Sequence, residues 1–182
     1  MSEDLILVDE NDNVVGYEEK ENSHQGELPL HRAFSVIIFN SKNQMLVQKR
    51  SDKKKTWPGF WANACCSSPK KGEDVIDSAK RRMQEELGFN CELKFLFKFR
   101  YKAKYDDDWG ENEIDHVLQG GYDGPINPNE DEIDEIKFTN IEELKEDAKN
   151  NPDKYAPWFL IILNKLYGLG TEIKNTEWNM IE

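Results

Sequence analysis

The sequence predicts an α+β fold or a layered α/β/α arrangement, because strand-like and helix-like segments follow one another along its 182 residues. Residues 93–101 alternate apolar and largely basic side chains, which is typical of a strand with one buried face. Apolar residues recur at helical spacing over residues 73–87, and Gly88 supplies a stop. We therefore expect a mixed central sheet with flanking helices, in one domain over residues 1–182.

The other elements are predicted from the same kinds of pattern, in chain order. Two hairpins are expected near the N-terminus, one from residues 5–8 and 14–17 and one from residues 33–39 and 44–48. Residues 18–30 should form a loop, and residues 50–71 a longer structured loop of the kind that often carries function. After these we expect strands at 111–118 and 133–138 and helices at 141–149 and 155–166.

The two ends of the chain extend this central unit. Residues 1–30 form an N-terminal extension that adds extra strands. Residues 170–182 form a C-terminal tail, whose Trp178 and acidic residues would either cap a pocket or pack on the surface.

The charge of the chain is unevenly distributed. Its 24 Lys and Arg against 36 Asp and Glu give a net charge of −12, which argues against generic nucleic-acid binding. Residues 41–104 nevertheless hold 16 basic against 7 acidic residues, which favours a small anionic ligand there. The apolar run 158–163 is too short for a membrane span, and residues 1–4 do not resemble the start of a signal peptide. The adjacent cysteines Cys65 and Cys66 fit reduced thiols, and we expect a cytoplasmic protein.

The predicted helix carries two adjacent carboxylates, Glu85 and Glu86, near its end. Arg82 lies one turn earlier on the same face, and Glu73 lies near the start of the helix. Two such carboxylates can ligate a hard divalent cation, but an ordinary salt-bridged helix face explains them at least as well.

The spacing across residues 67–89 resembles the Nudix box, G-x5-E-x7-R-E-U-x-E-E-x-G-U, in which U is a bulky apolar residue. Ser67 stands where the box opens with Gly, and Arg82 stands where the box has the first Glu of its R-E pair. The resemblance implies the layered α/β/α Nudix fold. The lost carboxylate disfavours ordinary Nudix hydrolysis, which relies on a cluster of carboxylates around a metal.

Further motifs resemble one Nudix branch, the type I isopentenyl diphosphate isomerases. Residues 57–66, WPGFWANACC, are similar to their W-P-G-x-W-x-N-x-x-C loop. Residues 111–113, ENE, match their E-x-E strand motif, and residues 156–158, APW, match their S/A-P-W motif. The resemblance covers about residues 4–168 and implies an enzyme of isoprenoid biosynthesis. Such an enzyme interconverts isopentenyl and dimethylallyl diphosphate by adding one proton and removing another.

The resemblance assigns catalytic roles to Cys66, Glu113, Tyr101 and Trp158. Cys66 and Glu113 match the acid/base pair of the family, and both residue types transfer protons when their environment tunes them. Trp158 offers an indole face that can stabilise a carbocation, and Tyr101 is expected to hydrogen-bond to Glu113. Without the resemblance, Cys66 and Trp158 would be interpreted as core residues.

The matched diphosphate-binding residues are Lys20, Arg50, Lys54 and Arg82. Arginine offers a planar fork for phosphate oxygens, and lysine offers a point charge. Arg82 would therefore be a phosphate anchor in the place of a box carboxylate. Glu86 would hold a Mg²⁺ that bridges the diphosphate.

The resemblance implies a second metal site for Mn²⁺, Mg²⁺ or Zn²⁺ at His24, His31, Glu111 and Glu113. The family has a third histidine where this chain has Ser68, and serine is a weak metal ligand. The lost imidazole predicts weaker metal binding. His116 lies on the same predicted strand as Glu111 and should point to the opposite face, so we do not expect it to be a ligand.

Two alternatives remain open at this point. One is a Nudix hydrolase that cleaves a small diphosphate, and the other is a non-enzymatic diphosphate-binding protein, which the Ser68 substitution motivates. In each case the partner is a small-molecule diphosphate rather than nucleic acid or membrane. The chain is expected to be a monomer or a weak homodimer.

Overall fold

In the computed structural model, residues 3–182 form ten strands, four α-helices and one short 3₁₀ helix. Met1 and Ser2, which begin the predicted N-terminal extension, lie outside the described residues. The strands are β1 Asp4–Val8, β2 Val14–Glu19, β3 His31–Phe39, β4 Met45–Arg50, β5 Trp61–Asn63, β6 Cys65–Ser67, β7 Lys94–Lys104, β8 Gly110–Gly121, β9 Ile133–Thr139 and β10 Thr176–Ile181. The helices are α1 Lys20–Ser23, α2 Val75–Leu87, α3 Ile141–Asn150 and α4 Pro157–Tyr167, with the 3₁₀ turn at Pro152–Lys154.

The strands join into one mixed sheet with a side branch. The main path runs β10-β7-β8-β3-β1-β2, and the parallel pairing of β3 with β8 lies at its centre. Strand β4 pairs with β5 and β9 to form the branch, while β6 pairs along β3. The structure confirms the predicted mixed sheet with extra N-terminal strands, because β1 and β2 extend one edge.

Helices cover both faces of the sheet, which confirms the layered α/β/α arrangement. Side chains alternate between faces along a strand, so successive residues of β3 enter two different apolar clusters. Ile37 packs in a cluster with Phe159 of α4, whereas Phe34 packs in a second cluster with Met83 of α2. The central strands are therefore buried on both sides, and the site can form only where the helical layers leave a gap.

Helix α2 begins and ends at clear signals in the sequence. The Asp74 side chain accepts a hydrogen bond from the Ile76 backbone N–H at 2.8 Å, which caps the helix start. Gly88 adopts a left-handed conformation with φ of 72°, and its N–H donates to the Gln84 carbonyl. The helix therefore agrees with the prediction for residues 73–87, apart from the first two residues.

Three predicted connections differ from the observed ones. The second hairpin is nearly absent, since β3 and β4 share only the pair Phe39 and Met45 and β4 turns away to β5 and β9. The reason is that β3 is buried and already paired on its two edges with β6 and β8. The predicted loop 18–30 contains α1, and the predicted loop 50–71 contains β5 and β6.

The predicted alternation along residues 93–101 is wrong at its start. The pairing of β7 with β8 shifts register between Phe95 and Phe97, so Leu96 forms a bulge. The side chains before the bulge therefore point to the face of the sheet opposite to the predicted one. Phe95 is consequently 47% exposed, while Phe99 and Tyr101 are buried as expected. The bulge keeps Tyr101 on the face that forms the site.

The C-terminal tail contains a strand that the sequence patterns missed. Strand β10 pairs antiparallel with β7 at the outer edge of the sheet, with Trp178 opposite Tyr101. The Trp178 side chain is 41% exposed and does not line the cavity that contains the predicted site residues. Of the two expectations for the tail, packing on the surface is the one that the structure supports. No helix within residues 3–182 combines the length and apolar character needed to cross a membrane.

Candidate active site

A cavity of about 370 Å³ opens where β3, β6, β7 and β8 meet the loop before β5 and the start of α4. Cationic side chains lie at one side of it, carboxylates lie on its floor, and aromatic rings form a wall. Ten of the predicted site residues line it, namely Lys20, His24, Arg50, Lys54, Cys66, Arg82, Tyr101, Glu111, Glu113 and Trp158. The remaining two, His31 and Glu86, contact residues of this group.

The floor is formed by strand β8, whose alternate residues face the cavity. Glu111 and Glu113 both hydrogen-bond with the Tyr101 hydroxyl, which lies 2.7 Å from Glu113 Oε2. Burial raises the pKa of Glu111, and the negative charge of Glu113 raises it further. Burial alone would also raise the pKa of Glu113, but hydrogen bonds with His24 and His31 outweigh it and the pKa is lowered. Two neighbouring carboxylates therefore differ in proton affinity.

Two imidazoles converge on Glu113. Its Oε1 lies 3.1 Å from His31 Nε2 and 3.7 Å from His24 Nε2. The opposite ring nitrogens, Nδ1 of each, lie 2.7 Å from the Lys20 carbonyl oxygen for His24 and 2.9 Å from the Pro29 carbonyl oxygen for His31. These backbone contacts orient both rings so that Nε2 faces the carboxylate.

The group of His24, His31 and Glu113 suits a divalent metal ion. The ligand atoms of these three residues all lie within 4.8 Å of one another. Two imidazole nitrogens and a carboxylate oxygen are a donor set that Zn²⁺ and Mn²⁺ accept in proteins. Glu111 lies beside this group and is joined to it through Tyr101. Ser68 is buried and lines the same cavity.

Glu86 lies apart from that group and pairs with Arg82 of the same helix. Arg82 also donates to Glu85 at 2.6 Å and lies 3.3 Å from Glu132. The predicted i, i+3 and i, i+4 contacts of Arg82 on α2 are thus present. Its guanidinium fills the space between the helix carboxylates, which leaves these acids neutralised by a cation.

The cations at the cavity mouth come from three separate elements. Lys20 begins α1, Lys54 lies in the loop after β4, and Arg82 lies on α2. Burial lowers the pKa of Lys20, and the positive charges of Lys54 and Arg82 lower it further, so the three cations are close enough to repel one another. Mutually repelling cations at a cavity mouth form a site for an anion.

Arg50 links this cationic mouth to the aromatic wall. Its Nη2 donates to the Thr56 carbonyl at 2.8 Å and its Nε to the Trp57 carbonyl at 3.1 Å. The guanidinium carbon lies 5.1 Å from the centroid of the Trp158 ring, and Nη1 lies 3.9 Å from Cys66 Sγ. Arg50 is therefore held by backbone carbonyls beside two of the four predicted catalytic side chains, Cys66 and Trp158.

The thiol of Cys66 and the indole of Trp158 line the same cavity and belong to the same apolar cluster. Burial raises the pKa of Cys66 to about 12, although the charge of Arg50 opposes the shift, so the group is a protonated thiol at neutral pH. Trp158 is buried in the first turn of α4, and its Nε1 donates to Asn63 Oδ1 at 3.1 Å. The Trp57 ring meets it edge-on at 5.5 Å and completes an apolar wall. Cys65 is fully buried in the core, as expected.

The sequence patterns did not identify three residues at or beside the site, namely Glu132, Ser35 and Asp115. Glu132 pairs with both Lys54 and Arg82, and no local pattern marks it because it follows a long loop after β8. Ser35 donates to Asp115 Oδ2 at 2.7 Å, and both residues line the cavity. Asp115 was detectable, because the alternation that puts Glu111 and Glu113 on one face continues to it. His116 points to the opposite face of the sheet, as predicted, and contacts Asp12 there.

Comparisons with known proteins agree with this geometry. Residues 29–159 match the family model of the NUDIX domain. An isopentenyl-diphosphate Delta-isomerase of Serratia proteamaculans is 41% identical, with 91% of this chain and 92% of that protein covered. Isopentenyl-diphosphate Delta-isomerase 1 of Photorhabdus laumondii is 44% identical, with 86% of this chain and 90% of that protein covered.

Solved structures support the fold at much lower identity. A protein of Deinococcus radiodurans superposes with a TM-score of 0.74 at 18% identity, over 90% of this chain and 99% of that one. A MutT protein of Methanosarcina mazei gives a TM-score of 0.65 at 15% identity, over 81% of this chain and 99% of that one. With the domain match and the relatives above, the chain belongs to the Nudix family and, within it, to the isopentenyl-diphosphate Delta-isomerases.

Proposed function

We propose that this chain is a metal-dependent isomerase that interconverts isopentenyl diphosphate and dimethylallyl diphosphate in isoprenoid biosynthesis. The relatives that share 41% and 44% of its residues over most of their length bear the name of that activity. The observation that carries the proposal is that the Cys66 thiol, the Glu113 carboxylate and the Trp158 indole line one cavity below a cationic mouth. These are the groups that a 1,3-allylic proton shift on a diphosphate requires.

The proton shift needs a donor and an acceptor on either side of the five-carbon unit. Cys66 is a protonated thiol in its buried setting and supplies the proton to the terminal methylene carbon. The tertiary carbocation that results lies against the Trp158 face, where the ring quadrupole stabilises it. Glu113 hydrogen-bonds with Tyr101. Its carboxylate removes a proton from the carbon that neighbours the cationic carbon on the diphosphate side. The double bond moves, and the number of protons on the substrate is unchanged.

The diphosphate is anchored by Lys20, Lys54 and Arg82, with Arg50 at the boundary between the anion and the apolar pocket. Binding the anion also relieves the repulsion among these cations. Arg82 now pairs with Glu86 and would donate to a bound diphosphate instead, and Glu86 would then be able to hold Mg²⁺. At the second site His24, His31 and Glu113 would hold Mn²⁺ or Zn²⁺, with Glu111 adjacent. An ion held there would supply positive charge next to Glu113.

The fold brings ten of the predicted site residues to one cavity, which supports the proposal that residues 1–182 act as one unit. We also propose that a monomer or a weak homodimer is active. The three cysteines are free, which fits a reducing cytoplasmic setting.

A Nudix hydrolase is less consistent with the structure. Arg82 occupies the middle of the carboxylates of α2, whereas hydrolysis needs these acids to gather metal ions.

A turnover assay with isopentenyl diphosphate, Mg²⁺ and Mn²⁺ tests the proposal, with dimethylallyl diphosphate and released phosphate measured in parallel. We expect the isomer without phosphate release.

Cys66→Ala should lower turnover by about 10³-fold, since it removes the proton donor, and should leave the Kd for the substrate within a few fold. Cys65→Ala is the matched control, because the neighbouring thiol is buried in the core and does not line the cavity. Phosphate release would instead identify a hydrolase, and full turnover by Cys66→Ala would exclude the thiol as donor.

A further inference from the structure

Asp115 is a third carboxylate on the floor of the cavity, and neither the family motifs nor the proposed mechanism uses it. It follows Glu111 and Glu113 at alternate positions of β8, so all three side chains lie on the same face of the sheet. It lines the same cavity and is 1% exposed. A carboxylate so deeply buried requires a compensating interaction.

The contacts of Asp115 within the protein are incomplete. Oδ2 accepts a hydrogen bond from Ser35 Oγ at 2.7 Å. Oδ1 is buried and receives no hydrogen bond from any group of residues 3–182. Over the same residues, the ion pairs of the structure include no lysine, arginine or histidine partner for Asp115, while Glu111 and Glu113 add negative charge beside it. A cation bound in the cavity would compensate the negative charge of Asp115.

Position 68 suggests why such a cation needs additional support here. Ser68 lines the cavity where the isomerase motifs have an imidazole, and a serine hydroxyl contributes little to metal binding. Strand β3 has β6, which ends at Ser67, on one side and β8 on the other. Ser68 and Asp115 therefore flank the same stretch of β3 and face the same space.

We infer that Asp115 is a further residue of the metal centre and supplies part of the stabilisation that the missing imidazole would give. Its Oδ1 accepts a hydrogen bond from a water ligand of the ion that His24, His31 and Glu113 hold. A direct bond to the ion does not fit, because Asp115 lies outside the group whose ligand atoms are within 4.8 Å of one another. A bridging water adds about 2.8 Å of reach and satisfies Oδ1. The inference rests on the metal centre of the proposed function and not on the proton shift itself.

The test is a Mn²⁺ titration of the full chain without substrate, with free Mn²⁺ followed by electron paramagnetic resonance. Asp115→Asn keeps the shape of the side chain and its bond from Ser35 but removes the charge. We expect the Kd for Mn²⁺ to rise about 10-fold or more, which is the usual effect of losing an outer carboxylate. Ser68→His should lower the Kd. In the Ser68→His background, Asp115→Asn should change the Kd by less than about 3-fold, because the imidazole then performs the same task.

Two control variants accompany the titration. Asp134→Asn removes an exposed carboxylate from β9 and should leave the Kd unchanged, and His24→Ala should abolish binding at the site. Should Asp115→Asn unfold, Asp115→Ser gives the same comparison with a smaller neutral side chain. An unchanged Kd in Asp115→Asn, an equal loss in both backgrounds, or absence of Mn²⁺ binding by the wild type would overturn the inference. Turnover is measured separately, so a chain that binds Mn²⁺ as expected but makes no isomer would contradict the proposed function alone.

Discussion

The two faces of the central sheet hold buried carboxylates in opposite electrostatic settings. On the cavity face, Glu111, Glu113 and Asp115 lie side by side with two imidazoles and, over residues 3–182, no lysine or arginine in ion-pair contact. On the opposite face, a single carboxylate, Asp12, contacts two cations, Arg32 and Lys98, and the imidazole of His116. We call these the site carboxylates and the Asp12 cluster.

Adjacent residues of the same strands build both groups. His31 and Arg32 are neighbours on β3, and Asp115 and His116 are neighbours on β8, so alternation sends one of each pair to either face. In the Asp12 cluster the chain itself supplies cationic partners for the carboxylate, and these contacts fix the β1–β2 turn against the sheet. The site carboxylates have an excess of negative charge, which costs stability unless a ligand supplies positive charge. The imbalance marks the cavity face as the one that binds cations.

The largest effect that separates the two faces is expected from Glu113→Gln. Glu113 contacts His24, His31 and Tyr101, so the amide should lower turnover by about 10³-fold and abolish Mn²⁺ binding at the histidines. Stability of the metal-free chain should fall by less than it does in Asp12→Asn, since relief of repulsion from Glu111 offsets part of the lost hydrogen bonding with His24 and His31. Turnover and urea unfolding on the same preparation measure both. A large loss of stability would show that the site carboxylates are structural.

Asp12→Asn should have the reverse profile. The Asp12 side chain is only 7% exposed, and removing its charge leaves Arg32 and Lys98 without their carboxylate partner. We expect the free energy of unfolding to fall by about 3 kcal/mol while turnover per folded molecule is retained. Asp134→Asn is the control, because that carboxylate is exposed on β9. Lost turnover in a folded Asp12→Asn chain would mean that the two faces are coupled through β3 and β8.

Acid should reveal the same contribution of Asp12. Burial alone would raise the pKa of Asp12, but hydrogen bonds from His116 and Arg32 outweigh it and lower the pKa. A lowered folded-state pKa means that the stabilisation is complete above about pH 4, the ordinary carboxyl value, and is lost as the pH falls toward the lowered value. Asp12→Asn should therefore flatten the fall in stability below pH 4. A curve parallel to that of the wild type would exclude Asp12 as its source.

The cavity face was more predictable from sequence than the Asp12 cluster. The acid pair on β8 and helix α2 depend on local spacing, which a single sequence displays. The Asp12 cluster depends on the docking of the β1–β2 turn across the back of β3, β7 and β8, and nothing near Asp12 in the sequence indicates it. The bulge at Leu96 and strand β10 were missed for the same reason, because register and edge pairing are set by distant residues.

The smallest effect is expected at the rim of the Asp12 cluster. Arg100 pairs with Glu10 at 2.8 Å, but the Glu10 side chain is 81% exposed, so water screens the pair. Arg100→Ala should lower the free energy of unfolding by less than about 1 kcal/mol, and the difference should shrink further in high salt. Urea unfolding of Arg100→Ala, Asp12→Asn and the wild type at two salt concentrations measures these losses of stability. If Arg100→Ala cost as much as Asp12→Asn, then the overall attraction between the acidic turn and the basic strands, rather than the buried contacts of Asp12, would hold the turn in place.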